Sequence, residues 1–208
     1  MIYLFVEGHG DERAVSNLIT RLWAELKLPF IPIDPGKRLP NLHINKGLVR
    51  AVDLIRTKSN AQGLIIIRDD EDHCPAEIVK GRTDFLRSLK APFPIAYHIM
   101  YREYETLFLP CIHLMAGREI NYEFGLGKIR LSEDAHFEGN PEAHRDAKGI
   151  LSRFYPGNKI YKPSLDQLPL TRLIDFNVLR ETNLPCFETL ERCLINISNN
   201  QGTTFVYP

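Results

Sequence analysis

Residues Ile2 to Val6 form an unbroken apolar run of aliphatic and aromatic side chains. Such a run is expected of a strand covered on both faces. Glu7 and the Gly8-His9-Gly10 triplet end it, and from Asp11 the period changes. Ala14, Val15, Leu18, Ile19, Leu22, Trp23 and Leu26 recur at spacings of three and four, the stripe of an amphipathic helix. Asp11 suits its N-cap and Glu12 its first turn. A short strand is expected at Phe30 to Ile33, followed by a Pro-rich polar loop from Asp34 to Asn45. Leu48, Val49, Val52 and Ile55 predict a second helix. Gly63 to Ile67 reads as another buried strand, ending at Arg68 and the acidic run Asp69, Asp70, Glu71, Asp72. A third helix over Ala76 to Leu89 leads through Pro92 and Pro94 into a strand at Ile95 to Tyr101.

This alternation is the signature of parallel βαβ units with right-handed crossovers. The expected class is therefore α/β, a Rossmann-like, mostly parallel sheet with flanking helices. Beyond Tyr101 the alternation stops. Glu105 to Met115 looks helical, with Pro110 ending or kinking it. Residues 117 to 145 read as a polar loop or lid, and helices are expected at Asp146 to Tyr155, Pro169 to Arg180 and Pro185 to Ile197. The tail from Asn199 to Pro208 is expected to fray. The chain thus divides into an α/β core at 1–115 and a loop plus helical C-terminal extension at 116–208, packed on the same domain.

Composition narrows this picture without changing it. The 208 residues can bury one sizeable core, and the 44% apolar and 25% charged fractions are those of a globular chain. Lys+Arg and Asp+Glu number 26 each, so any nucleic-acid contact must come from local patches. The opening apolar run is too short for a leader peptide, and no stretch reaches the roughly 18 to 20 apolar residues of a membrane span. A cytoplasmic protein is expected. Cys74, Cys111, Cys186 and Cys193 lack a Cys-x-x-Cys pair. They read as reduced thiols rather than as a zinc site with His73 and His113.

The candidate chemistry gathers at strand ends, where open parallel sheets bind ligands. Glu7 follows the first strand, and Asp69 to Asp72 follow the third. Carboxylates held together repel unless a cation sits between them, and a hard divalent ion, Mg²⁺ or Mn²⁺, matches oxygen donors. Glu7, Asp69, Asp70, Glu71 and Asp72 are the candidate ligands; the ordinary alternative is a solvated turn that caps the next helix. Glu103 and Glu105, after the strand ending at Tyr101, are candidates to complete the site or position a water, and Arg102 to hold a phosphate. His9 is a candidate ligand or general base, or else a surface histidine. Gly8 and Gly10 lack the Lys and Ser/Thr of a P-loop. Lys148, Arg153, Lys159 and Lys162, interleaved with Phe154, Tyr155 and Tyr161, suit a nucleic-acid backbone with stacked bases, or else a solvated face.

At these residues the chain resembles a known group. Val6-Glu7-Gly8 and the run Ile66 to Asp72 look like the TOPRIM domain of topoisomerases, primases and OLD-type nucleases. With Arg102-Glu103-Tyr104-Glu105, and with Tyr161 through Asp166-Gln167 to Asp175, the whole chain resembles domain-of-unknown-function family 4276, small TOPRIM-like bacterial proteins. The resemblance implies a TOPRIM-like fold, a catalytic Glu7 and a metal-binding acidic run. Two Asp-x-acid registers are open, Asp69 with Glu71 or Asp70 with Asp72. By association it also implies a nuclease effector in phage defence, with an ATPase as partner.

A metal-dependent phosphoesterase or nuclease acting on DNA or RNA is the leading expectation. A receiver-like signalling domain would want a lone phosphoacceptor Asp. A non-catalytic metal- or partner-binding module that kept the fold is the third reading.

Overall fold

The computed structural model describes residues 1–8, 11–70, 73–125 (Phe124 by its main chain) and 127–208. Five parallel strands form the central sheet: β1 (Ile2–Val6), β2 (Lys37–Arg38), β3 (Gly63–Asp70), β4 (Ile95–Tyr101) and β7 (Val206–Tyr207), in the order β2-β1-β3-β4-β7. Helix α1 (Asp11–Glu25) connects β1 toward β2 on one side, and α2 (Asn45–Arg56) returns the chain to β3 on the other. The winding direction therefore reverses between β1 and β3, the place where open α/β sheets bind ligands. This is the expected α/β, Rossmann-like architecture.

The two faces of the sheet carry separate cores, and the pleat assigns residues to them. Ile2, Leu4, Val6, Ile65 and Ile67 pack against α1, and Tyr3, Phe5, Leu64 and Ile66 pack beneath α2 and α3 (Pro75–Ser88). On the α1 face lie also α5 (Ala147–Arg153), α6 (Pro163–Thr171), α7 (Phe176–Glu181) and α8 (Pro185–Asn199). Leu151, Leu170, Leu179 and Leu190 share one core with β1 and α1. The C-terminal half thus covers the sheet face that α1 alone leaves open.

Five expectations change, the first being the helix read at Pro169 to Arg180, which is α6 and α7 with a break at 172–175. Phe30 to Ile33 is not a strand of the sheet: Pro29, Pro32 and Pro35 remove ladder donors, Phe30 is exposed, and only Ile33 bridges to Ile2. Strand β2 instead falls in the loop that follows. The segment read as a polar lid contains an antiparallel pair, β5 (Glu119–Asn121) and β6 (Lys128–Arg130), anchored by buried Ile120 and Ile129. Pro110 interrupts the stretch before Met115 as expected, but the part ahead of it is a 3-10 turn, Tyr104–Phe108, rather than α-helix, followed by a short α4, Ile112–Met115. The tail does not fray: Val206 is buried, and Ile95 donates its N–H to the carbonyl of Phe205 at 2.8 Å.

A candidate catalytic site at the reversal of the sheet

Strand alternation decides what the acids after β1 and β3 can reach. Asp69 continues the Ile65, Ile67 series toward α1; Arg68 and Asp70 continue the Leu64, Ile66 series toward α2 and α3, as Glu7 continues Tyr3 and Phe5. Asp69 and Asp70 therefore serve opposite faces, and two polar clusters flank the reversal. Glu71, Asp72 and His9 lie outside the described residues.

On the α1 face, Asp69 meets the acids that follow β4. Arg102 adopts a left-handed backbone (φ +69°) and stacks on Tyr101, 4.6 Å from its ring centre. This turn begins the Glu103 to Phe108 segment, and both Glu103 and Glu105 are buried. Lys148 reaches them from α5, with Nζ 2.6 Å from Glu103 Oε1 and 3.5 Å from Glu105 Oε2; its backbone N–H also donates to Glu103. Tyr161 donates its hydroxyl to Glu105 Oε1 at 2.9 Å. Asp11, at the start of α1, accepts from Gln167 Nε2 at 2.9 Å and from the N–H of Gly8 at 3.0 Å. Next to this group, buried Asp166 accepts from the Tyr122 hydroxyl and from the Lys162 N–H, each at 2.7 Å.

Charge in this cluster is out of balance. Burial, then the carboxylates of Asp11 and Glu105, hold the Asp69 carboxyl well above the usual range; Lys148 and the N–H of Tyr104 offset only part of that. Burial pushes Glu105 up to about 7 against the pull of Lys148. For Lys148 burial works the other way, but Glu105 and Glu103 outweigh it and keep the ammonium charged.

On the opposite face the balance is reversed. Arg68 is buried and gives Nε–H to the Tyr97 hydroxyl at 2.7 Å and a terminal N–H to Asp70 Oδ2 at 2.7 Å. Burial raises the Asp70 carboxyl, but hydrogen bonds from His73 and Arg68 outweigh it and hold Asp70 below the usual range. Glu7 accepts from His43 Nδ1 at 2.7 Å. Since an ionised carboxylate can only accept, Nδ1 carries the proton, and in the neutral ring Nε2 is the acceptor. A cavity of about 400 Å³ lies here, lined by His43, Arg68, Asp69, Asp70, His73 and Arg82.

Of the residues expected from sequence, Asp69, Glu103 and Glu105 belong to the α1-face cluster. Glu7 and Asp70 belong to the other face. Lys148, expected on a nucleic-acid surface, points its ammonium at Glu103 and Glu105. Arg153, Lys159 and Lys162 are exposed, but the rings of Tyr155 and Tyr161 are buried and cannot stack on bases. Sequence reading missed the parts played by Asp11, His43 and Arg68, and placed Tyr161 and Gln167 only through a family pattern. Asp11 offered a signal, an acid at a helix start beside Glu7, but it read as a cap.

Among the described residues no three His, Cys, Asp or Glu side chains form a group arranged to hold a metal ion, and no helix is long and apolar enough to cross a membrane. Magnesium does not need such a group, since it commonly takes one or two protein carboxylates and fills the rest with water and phosphate. The donors around Asp69 are all hard oxygens, and their crowding leaves negative charge for a cation to offset. They fit such an ion. On the other face Arg68 already supplies the positive charge beside Asp70.

Residues 6–195 match the family described as Domain of unknown function (DUF4276), and the chain belongs to that family. No curated protein and no solved structure gives a significant match.

Proposed function

From that membership we propose that the chain is a metal-dependent, TOPRIM-like phosphoesterase, a nuclease acting on DNA or RNA, serving phage defence with an ATPase partner. One observation carries the reading. At the reversal of the sheet, a crowded carboxylate centre around Asp69 adjoins a cavity lined by Arg68, Arg82, His43 and His73. An acidic centre beside a basic pocket suits a phosphodiester and a hard cation together.

Asp69 and Asp11 are the residues that would hold Mg²⁺ or Mn²⁺, whose chemistry is to polarise a phosphoryl oxygen and acidify a water. Arg82 and Arg68 bind the phosphate oxygens. Glu7 fixes the His43 tautomer, so that Nε2 accepts a proton from the attacking water or returns one to the leaving oxygen. Lys148 offsets part of the negative charge that Glu105 brings to Asp69. A second reading, a non-catalytic binding module, has its own support in Arg68 and Lys148, which already neutralise much of each cluster.

The two readings part in a cleavage assay on labelled single-stranded DNA, duplex DNA and RNA with Mg²⁺ or Mn²⁺. Cleavage is expected to stop in excess chelator and to fall by at least about 100-fold in Asp69→Asn and in His43→Ala. Undiminished cleavage in Asp69→Asn, or in chelator, removes the proposed centre. Calorimetric Mg²⁺ binding with no cleavage of any substrate selects the binding module.

A further inference from the structure

Helix α6 reaches the carboxylate centre through one side chain. Gln167 is 1% exposed and donates its Nε2–H to Asp11 Oδ1 at 2.9 Å. An ionised carboxylate can only accept, so the amide must present its nitrogen here. The second oxygen, Asp11 Oδ2, accepts from the N–H of Gly8 at 3.0 Å. Gly8 also makes room for it, since a Cβ at that position would lie 2.2 Å from Asp11 Oδ2. Each oxygen of Asp11 thus takes one bond from the protein and keeps lone-pair capacity for a further partner.

Gln167 is itself tied down. Thr171, one helical turn on, gives its hydroxyl proton to the Gln167 carbonyl at 2.7 Å. Its oxygen is then left to accept, so the Tyr104 hydroxyl is the donor in their 2.9 Å contact. Tyr104 gives its backbone N–H to Asp69. Arg21 of α1 fixes the end of α6 by bonding the carbonyls of Thr171 at 2.7 Å and Ile174 at 2.6 Å. Asp11 and Asp69 stand on separate elements, and a buried path through Gln167, Thr171 and Tyr104 joins them. Two like charges this close move apart unless something holds them. Gln167 and Gly8 restrain Asp11, and the N–H of Tyr104 restrains Asp69.

We propose that Gln167 is a positioning residue for the cation centre, fixing the Asp11 carboxylate beside Asp69 so that the pair is preorganised for one ion. The inference rests on the reading of Asp11 and Asp69 as the residues that would hold Mg²⁺ or Mn²⁺. Gln167 acts through Asp11 and not on the ion. Partners of this kind orient the ligating groups, and losing one costs roughly 10- to 100-fold in metal affinity. The C-terminal half of the chain thereby contributes to the centre and does not only cover the sheet.

Calorimetric titration of the full chain with Mg²⁺ and with Mn²⁺, below the melting temperature of each variant and without substrate, tests this. Gln167→Met keeps the volume and loses the N–H, and it is expected to bind either ion about tenfold more weakly than wild type. Thr171→Val, which removes the hydroxyl behind Gln167, is expected to weaken binding in the same direction. Thr171→Ser keeps that hydroxyl and is expected to bind as wild type does. If Gln167→Met does not fold, the Thr171 pair carries the test. Wild-type affinity in Gln167→Met, or equal affinities in Thr171→Val and Thr171→Ser, overturns the proposal and leaves the cation centre standing. If wild type binds neither ion, or Asp69→Asn binds as tightly as wild type, the centre itself is removed and the proposal with it.

Discussion

Arg68→Met is expected to lower the unfolding free energy by about 3 kcal/mol at pH 7, the low end of the range for breaking a buried ion pair. The side chains of Arg68 and Asp70 are 7% and 10% exposed, so little water reaches either charge. Arg68 makes three bonds in this setting: to the Tyr97 hydroxyl, to Asp70, and to the carbonyl of Asp69 at 2.9 Å. Methionine fills a similar space and supplies none of them. Asp70 keeps the N–H of His73 at 3.1 Å and its ring Nδ1 at 2.9 Å, which is why the low end applies.

The pH dependence of the deficit has a fixed sign. Asp70 is held below its usual range in the fold, so its stabilising contribution is present above about pH 4 and is lost as pH falls through the folded value. Arg68→Met should therefore differ most from wild type at pH 7 and converge with it in acid. Asp70→Asn on the Arg68→Met background should recover part of the loss, because the stranded carboxylate is gone. Urea titrations at pH 7 and pH 3.5 can follow Trp23, the one tryptophan in the chain and a buried one. Equal midpoints for variant and wild type at both pH values would leave Arg68 a role in phosphate binding only.

The sheet was legible in the chain because apolar runs such as Ile2 to Val6 and Gly63 to Ile67 state their own period, and acids directly after them lie at strand ends by construction. Which face each acid takes was not legible, since a slip of one residue in where the pleat continues exchanges Asp69 for Asp70. The partners were further out of reach. Lys148 stands 45 residues from Glu103, Tyr161 56 from Glu105, and Gln167 156 from Asp11. No local pattern encodes such pairings, so Lys148 read as one more basic residue on a helix. Strand β7 was missed for a different reason: two residues are too few to show a period, and only the open edge of β4 makes Val206 a strand residue.

Asp69→Asn and Lys148→Met should move stability in opposite directions in the metal-free protein at pH 8. Asp69 shares its space with the charges of Asp11 and Glu105, so removing its charge while keeping its shape relieves repulsion worth about 0.5 to 2 kcal/mol. Lys148 is the cation against Glu103 and Glu105, and Lys148→Met leaves both buried acids without it. The lysine side chain is 38% exposed, so water screens part of the pair and the expected loss is about 1 to 3 kcal/mol rather than the full figure for a buried bridge. Asp69 and Glu105 both titrate above their unfolded values, so the folded state binds more protons and stability falls as pH rises from about 4.5 through 7. Lowering the pH from 8 to 5 should thus stabilise wild type, help Lys148→Met more, and help Asp69→Asn least. Saturating Mg²⁺ should raise the wild-type melting temperature and leave Asp69→Asn nearly unmoved, because a ligand bound only by the folded form stabilises by mass action. Thermal melts at both pH values, in chelator and in Mg²⁺, read all of these shifts together. If Asp69→Asn melts below wild type at pH 8 in chelator, the carboxylate is stabilised by the N–H of Tyr104 more than it is opposed by its neighbours, and the argument for a cation at this centre fails.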